Sequence, residues 1–161
     1  MMVLPSPSVL LCDSFSYPPG AIVSNSASLW STYSGLAGRM QVVAGELRLT
    51  EDDTEDVLAQ PIGSPFAPSN NITLYASFNV IFLEMPEASG AYFALFRELG
   101  TTYRARVFAA TLRSEQGNFG LGIANTAGSI TNVAFAATTL TLNTRYLVVM
   151  RYDVTTGRSA L

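Results

Sequence analysis

Apolar and polar residues alternate with a period of two along much of this chain. In 46–50, Leu47 and Leu49 point one way while Glu46, Arg48 and Thr50 point the other. That alternation marks a half-buried strand. Residues 39–43 form the preceding strand, and Ala44-Gly45 the tight turn between the two. Across 72–83, Leu74, Ala76, Phe78, Val80 and Phe82 share one face; Thr73, Tyr75, Ser77 and Asn79 share the other. Residues 91–96 are apolar on both faces, which predicts a central strand. In 102–110, Tyr103, Ala105, Val107 and Ala109 are expected in the core, with Arg104 and Arg106 facing out. In 117–124, Phe119, Leu121 and Ile123 interleave with Gly120, Gly122 and Ala124. Small residues on that second face predict close approach by another layer or by backbone. Finally, 145–154 sets Tyr146, Val148, Met150 and Tyr152 against Leu147, Val149, Arg151 and Asp153, and Thr155-Thr156-Gly157-Arg158 predicts a hairpin turn.

No segment shows a sustained period of 3.6. Many short strands without helices predict an all-β fold, a sandwich or a barrel. The 161 residues fit one domain, with 1–10 as an irregular N-terminal extension. Gly, Ser and Asn gather in two loop regions, 18–38 and 61–71. After the last turn only Ser159, Ala160 and Leu161 remain, so the chain is expected to stop inside its final strand. An open sheet edge invites pairing with another chain, and self-association is the consequence expected.

Composition narrows the chemistry. Apolar residues make up 48% and charged ones only 13%, which argues against disorder. The formal net charge is −3 and no basic run exists, so a nucleic acid is not an expected partner. Histidine and lysine are both absent, all nine basic residues being arginine. That excludes Ser-His-Asp and Cys-His machinery, histidine zinc sites, Schiff bases and P-loop lysines. What survives is carboxylate, arginine and backbone chemistry. Cys12 is the lone cysteine and is expected to be a small buried hydrophobe. No apolar stretch reaches the roughly 18 residues of a membrane-spanning helix, so membrane insertion is not expected.

Short motifs follow one another along the chain. Asp13-Ser14-Phe15-Ser16-Tyr17-Pro18-Pro19-Gly20 has the form D-x-F-x-Y-x-x-G, and Trp30 with Ser34-Gly35 the form W-x-x-x-S-G. Thr54-Glu55-Asp56-Val57, Tyr75-Ala76-Ser77-Phe78, Tyr92-Phe93-Ala94, Phe108-Ala109-Ala110, Leu121-Gly122-Ile123-Ala124-Asn125 and 146–152 come after them. In this order the motifs resemble a laminin-G-like domain of the concanavalin A-like kind, over 11–161. The resemblance implies a two-sheet antiparallel β-sandwich of jelly-roll form, truncated here at its C-terminal strand, because similar domains continue with a Trp-containing strand. It implies a module of large secreted or cell-surface bacterial proteins, which binds carbohydrate or protein, in some cases through calcium, or serves as a spacer.

Three constellations are candidate sites. Glu51 to Asp56 holds five carboxylates in six residues. It reads as a solvated turn or, alternatively, as a calcium site using Asp53, Glu55 and Asp56, since Ca²⁺ accepts irregular oxygen sets. The alternation of Glu51, Asp53 and Glu55 also resembles the acidic strand of glycoside hydrolases of this fold, but no second acidic strand faces it. Arg104 and Arg106, two apart on one strand, are expected to share a face, where guanidinium forks suit an acidic polysaccharide; the alternative is a row of cross-strand ion pairs with Glu98 or Asp153. Trp30 is a candidate sugar platform or a plug at the end of the sandwich. The reading is a non-catalytic extracellular module for a polysaccharide or surface glycan, with ligand residues Trp30, Arg104 and Arg106; the alternative is a structural or adhesive spacer.

Overall fold

A computed structural model describes residues 8–50, 54–98, 100, 102–111, 118–125 and 130–161. They are all-β apart from one helical turn and two 3₁₀ turns, and every strand pairing is antiparallel. The chain divides into two compact units, 1–64 and 65–161.

The first unit holds β1 (Gly20–Ala21), α1 (Ile22–Asn25), β2 (Ser31–Ser34), β3 (Gln41–Val43), β4 (Glu46–Arg48) and β5 (Asp56–Leu58). One sheet runs β1-β3-β4, and β2 pairs with β5 in a separate ribbon. The β3–β4 turn falls on Ala44-Gly45, as its sequence predicts. Both residues are left-handed, with φ of 53° and 78°, the geometry whose twist suits a two-residue hairpin. Ile22 and Val42 are fully buried, and beside them in this interior lie Ser26 and the carboxylate of Glu55. The 18–38 stretch, read as loop, contains β1, α1 and β2. These elements are too short for periodicity to declare them.

Two sheets make up the second unit. Their strands are β6 (Thr73–Ile81), β7 (Ala91–Arg97), β8 (Tyr103–Thr111), β9 (Phe119–Ala124), β10 (Ala134–Leu140), β11 (Arg145–Asp153) and β12 (Arg158–Ala160). One sheet has the order β10-β9-β8-β7 and the other β12-β11-β6. Val107, Ala109, Phe119, Leu121 and Ile123 from the first meet Val148, Met150 and Tyr152 from the second in one apolar core. Leu74, Ala76, Phe78, Val80 and Phe82 pack on that core, the face the alternation assigns them. The unit is therefore sandwich-like.

Two strands depart from expectation. β7 lies at the end of its sheet's order, not at its centre. Its apolar residues serve both faces nonetheless: Phe93 packs on the core, while Tyr92 meets Tyr103 and Phe108. β10 escapes the pattern, because most of its residues are exposed. The glycine reading of β9 holds: a Cβ on Gly122 would lie 2.4 Å from Val133 Cγ1 and 3.0 Å from the Ala134 carbonyl oxygen.

Candidate functional site

Asp13 is the centre of the N-terminal motif. Its Oδ1 accepts the Phe15 backbone N–H at 2.8 Å. Its Oδ2 accepts the Tyr17 hydroxyl at 2.9 Å and the Trp30 indole N–H at 2.6 Å. Phe15 lies against Trp30 with ring centroids 6.0 Å apart. The D-x-F-x-Y spacing thus ties a loop to a tryptophan 17 residues on. Trp30 is half-buried, with its polar edge spent on this latch. Cys12, beside it, is exposed. It precedes the latch in a stretch without strand pairing, where no sheet covers it.

Of the acidic cluster, Asp53 lies outside the described residues, as do Glu51 and Asp52. Glu55 faces the interior of its unit and is 2% exposed. It accepts the Thr32 hydroxyl at 2.6 Å and the backbone N–H groups of Arg39 and Met40 at 2.7 and 2.9 Å. Burial by itself raises this carboxyl's pKa; the bonds from Thr32 and from the Met40, Gly38 and Arg39 backbone outweigh it and hold the pKa below the ordinary glutamate value. Asp56 opens β5 and accepts the Ser34 hydroxyl at 2.5 Å. Glu55 and Asp56 thus serve different partners. Among the described residues no group of three acidic or sulfur side chains is placed to hold a metal ion. The solvated-turn reading thus fails for Glu55, which is buried, and for Asp56, which belongs to a strand.

Arg104 and Arg106 do not share a face. Ala105 between them is left-handed, φ 49°, and the β7–β8 register slips between Ala94 and Phe96. This bulge turns Arg104 toward Glu98, 2.8 Å away, and toward Tyr152 of the core. The Tyr152 hydroxyl in turn donates to Glu98 at 3.3 Å. Arg106 goes to the opposite side with Tyr103, contrary to the core position expected for that tyrosine. Its guanidinium carbon lies 4.3 Å from the Tyr103 ring centroid and 4.9 Å from that of Tyr92. Cation–π stacking of this kind is what a planar guanidinium does best on aromatic faces. Of the alternatives weighed for this pair, the ion pair with Glu98 is the one Arg104 makes. Trp30, Arg104 and Arg106 therefore stand in three separate environments.

A different set does converge. In the β6–β11 pairing Tyr75 is opposite Arg151, Ser77 opposite Val149, and Asn79 opposite Leu147. The alternate residues of both strands feed the core, so these six line the outer face. Tyr75 is 65% exposed, Leu147 68% and Val149 45%. Arg151 reaches Asp153 at 3.4 Å, and the Thr156 backbone N–H holds the Asp153 carboxyl below its ordinary pKa. Ser77 and Asn79 are exposed. An aromatic ring, two aliphatic side chains and several hydrogen-bonding groups thus share the outer face of the β6–β11 pair. The sequence signal for it was Tyr75, an aromatic on the polar side of an otherwise clean alternation.

No protein-family model, curated protein or solved structure matches the chain. No helix among the described residues is long and apolar enough to cross a membrane.

Proposed function

We propose that this chain is a non-catalytic glycan-recognition module of an extracellular or cell-surface protein, and that it binds through the outer face of β6 and β11. The observation that carries this reading is Tyr75, largely exposed and directly across from Arg151, with Ser77 and Asn79 along the same row. A pyranose ring stacks its apolar face on an aromatic, and a few polar groups then orient its hydroxyls. The resemblance to laminin-G-like, concanavalin A-like jelly rolls supports the reading, and the antiparallel, sandwich-like second unit is compatible with it. The residues first singled out argue the other way for themselves: Trp30 and Arg104 are engaged internally, which favours structural roles.

The test is a neutral and acidic polysaccharide panel against the full chain, run with calcium and again with EDTA. Selective binding is expected, unchanged by EDTA and weakened about tenfold, or about 1.4 kcal/mol, by Tyr75→Ala. Because Tyr75 is exposed, that variant keeps its melting temperature. Silence from a folded sample across the panel overturns the proposal in favour of a structural or adhesive spacer.

A further inference from the structure

The outward side of the β3–β4 hairpin carries a second set of groups. Val42 and Leu47 pair across the hairpin, Val42 fully buried. The alternate residues face out. Gln41 and Val43, with Arg39 just before the strand, make one row, and Glu46, Arg48 and Thr50 the other, Glu46 opposite Val43; Arg39, Gln41, Val43, Arg48 and Thr50 line an open groove of ≈ 250 Å³. Gln41 is directly opposite Arg48, so Arg39 and Arg48 stand on the diagonal of the ribbon. Diagonal neighbours on a sheet face lie roughly 7–8 Å apart at the backbone, within reach of long side chains.

Neither Arg39 nor Arg48 forms an ion pair with another described residue. Glu46 shares this outward face, opposite Val43, but does not line the groove; there an oxyanion between the two guanidiniums lowers their mutual repulsion and accepts paired N–H bonds. The frame that holds them is firm. The Arg39 backbone N–H is fixed by the buried Glu55 carboxylate at 2.7 Å. Gln41 Nε2 donates to the Gly38 carbonyl at 2.6 Å, which orients its amide at the groove. The whole chain carries a formal charge of −3, so a polyanion finds no general attraction here and must be held locally.

We infer that this groove binds the oxyanions of an acidic polysaccharide, sulfate or carboxylate, with Arg39 and Arg48 as its forks. The polymer as carrier rests on the glycan reading above; the oxyanion site rests on the hairpin alone. The probes are dextran, dextran sulfate and polygalacturonate, titrated against the full chain at moderate salt. Dextran sulfate and polygalacturonate separate the sulfate from the carboxylate source, and uncharged dextran supplies the baseline. Binding of at least one polyanion is expected, weakened tenfold or more by Arg39→Gln and by Arg48→Gln, and unchanged by Arg97→Gln, an equal charge change in the other unit. All three side chains are exposed, so the variants keep their fold.

Equal losses in all three variants, or no polyanion binding, overturn the inference. The two proposals fail separately. Neutral glycans held through Tyr75 with polyanions ignored sink the groove alone. Polyanions held through Arg39 and Arg48 in a Tyr75→Ala protein, with no neutral binding, sink the β6–β11 face alone.

Discussion

The carboxylate of Glu55 holds the backbone N–H of Arg39 at 2.7 Å from inside the first unit. The same oxygen also accepts Met40, and its partner oxygen accepts the Thr32 hydroxyl. One buried side chain therefore joins the β2–β5 ribbon to the entry of β3. Gly35 makes that junction possible: a Cβ there, at φ +80°, would lie 1.6 Å from the Thr54 carbonyl oxygen. Glu55→Ala leaves three donors without their acceptor and opens a cavity. At about 1–3 kcal/mol for each unsatisfied buried group, only partly additive, the expected loss is about 3–5 kcal/mol. Urea denaturation measures it, and a change below about 1 kcal/mol would show that water replaces the carboxylate without cost.

The same residue sets a pH dependence. Its folded pKa lies below its unfolded one. The folded state therefore binds the proton later than the unfolded state as pH falls. Glu55's contribution is full above the ordinary glutamate value and is lost as pH drops through the lower, folded value. Asp153, shifted the same way by the Thr156 N–H, adds in the same direction. Stability is expected to decline on acidification below about pH 4.5, with a shallower decline in Glu55→Gln. Denaturation midpoints from pH 3 to 7, wild type against variant, give both slopes; parallel curves would remove Glu55 as the cause.

Trp30 is a spectroscopic probe, being the chain's one tryptophan. Asp13→Ala removes the acceptor for its indole, for Tyr17 and for the Phe15 N–H. These groups are half-buried, so water takes up part of the loss and about 1–2 kcal/mol of destabilisation is expected. Indole emission should shift to longer wavelength while the chain is still folded. Glycan binding should not change. An unshifted spectrum would mean that the latch is not populated in solution.

Legibility in the sequence followed length and regularity. The core rows of β6 and β11 were plain because every second residue, from Leu74 to Val80 and from Tyr146 to Tyr152, is apolar. The turn at Ala44-Gly45 was plain because its chemistry is local. β1, β2 and β5, of two to four residues, carry no period; β1 is placed by its pairing with β3, and β2 and β5 by Glu55, Asp56 and Ser34, whose bonds span 15 to 23 positions. The arginine pair was misjudged for a single reason: alternation assumes a regular strand, and one bulge inverts every assignment beyond it. Alanine at a left-handed position gives no sequence warning, as glycine or asparagine would. The groove of Arg39 and Arg48 was visible only as the polar side of a hairpin, where charge has no periodicity to break.

That bulge yields a direct comparison. Ala105 and Ala109 are both buried on β8, but only Ala105 has a positive φ. A left-handed L-residue costs about 1–2 kcal/mol, which glycine does not pay. Glycine also gives up a buried methyl, about 0.8 kcal/mol, and about 0.5–1 kcal/mol of backbone entropy. At Ala109 only the losses operate, so Ala109→Gly is expected to destabilise by about 1–2 kcal/mol. At Ala105 relief and loss oppose each other, and Ala105→Gly should fall within about 0.8 kcal/mol of wild type by the same sums. Ala105→Val adds a branched Cβ to a left-handed, fully buried site. It should cost more than either glycine variant, because the chain must strain there or flatten the bulge. Flattening the bulge would break the Arg104–Glu98 pair or the stacking of Arg106 on Tyr103. Equal costs for the two glycine substitutions would show that Ala105 is not left-handed in solution, and Arg104 and Arg106 would then return to one face.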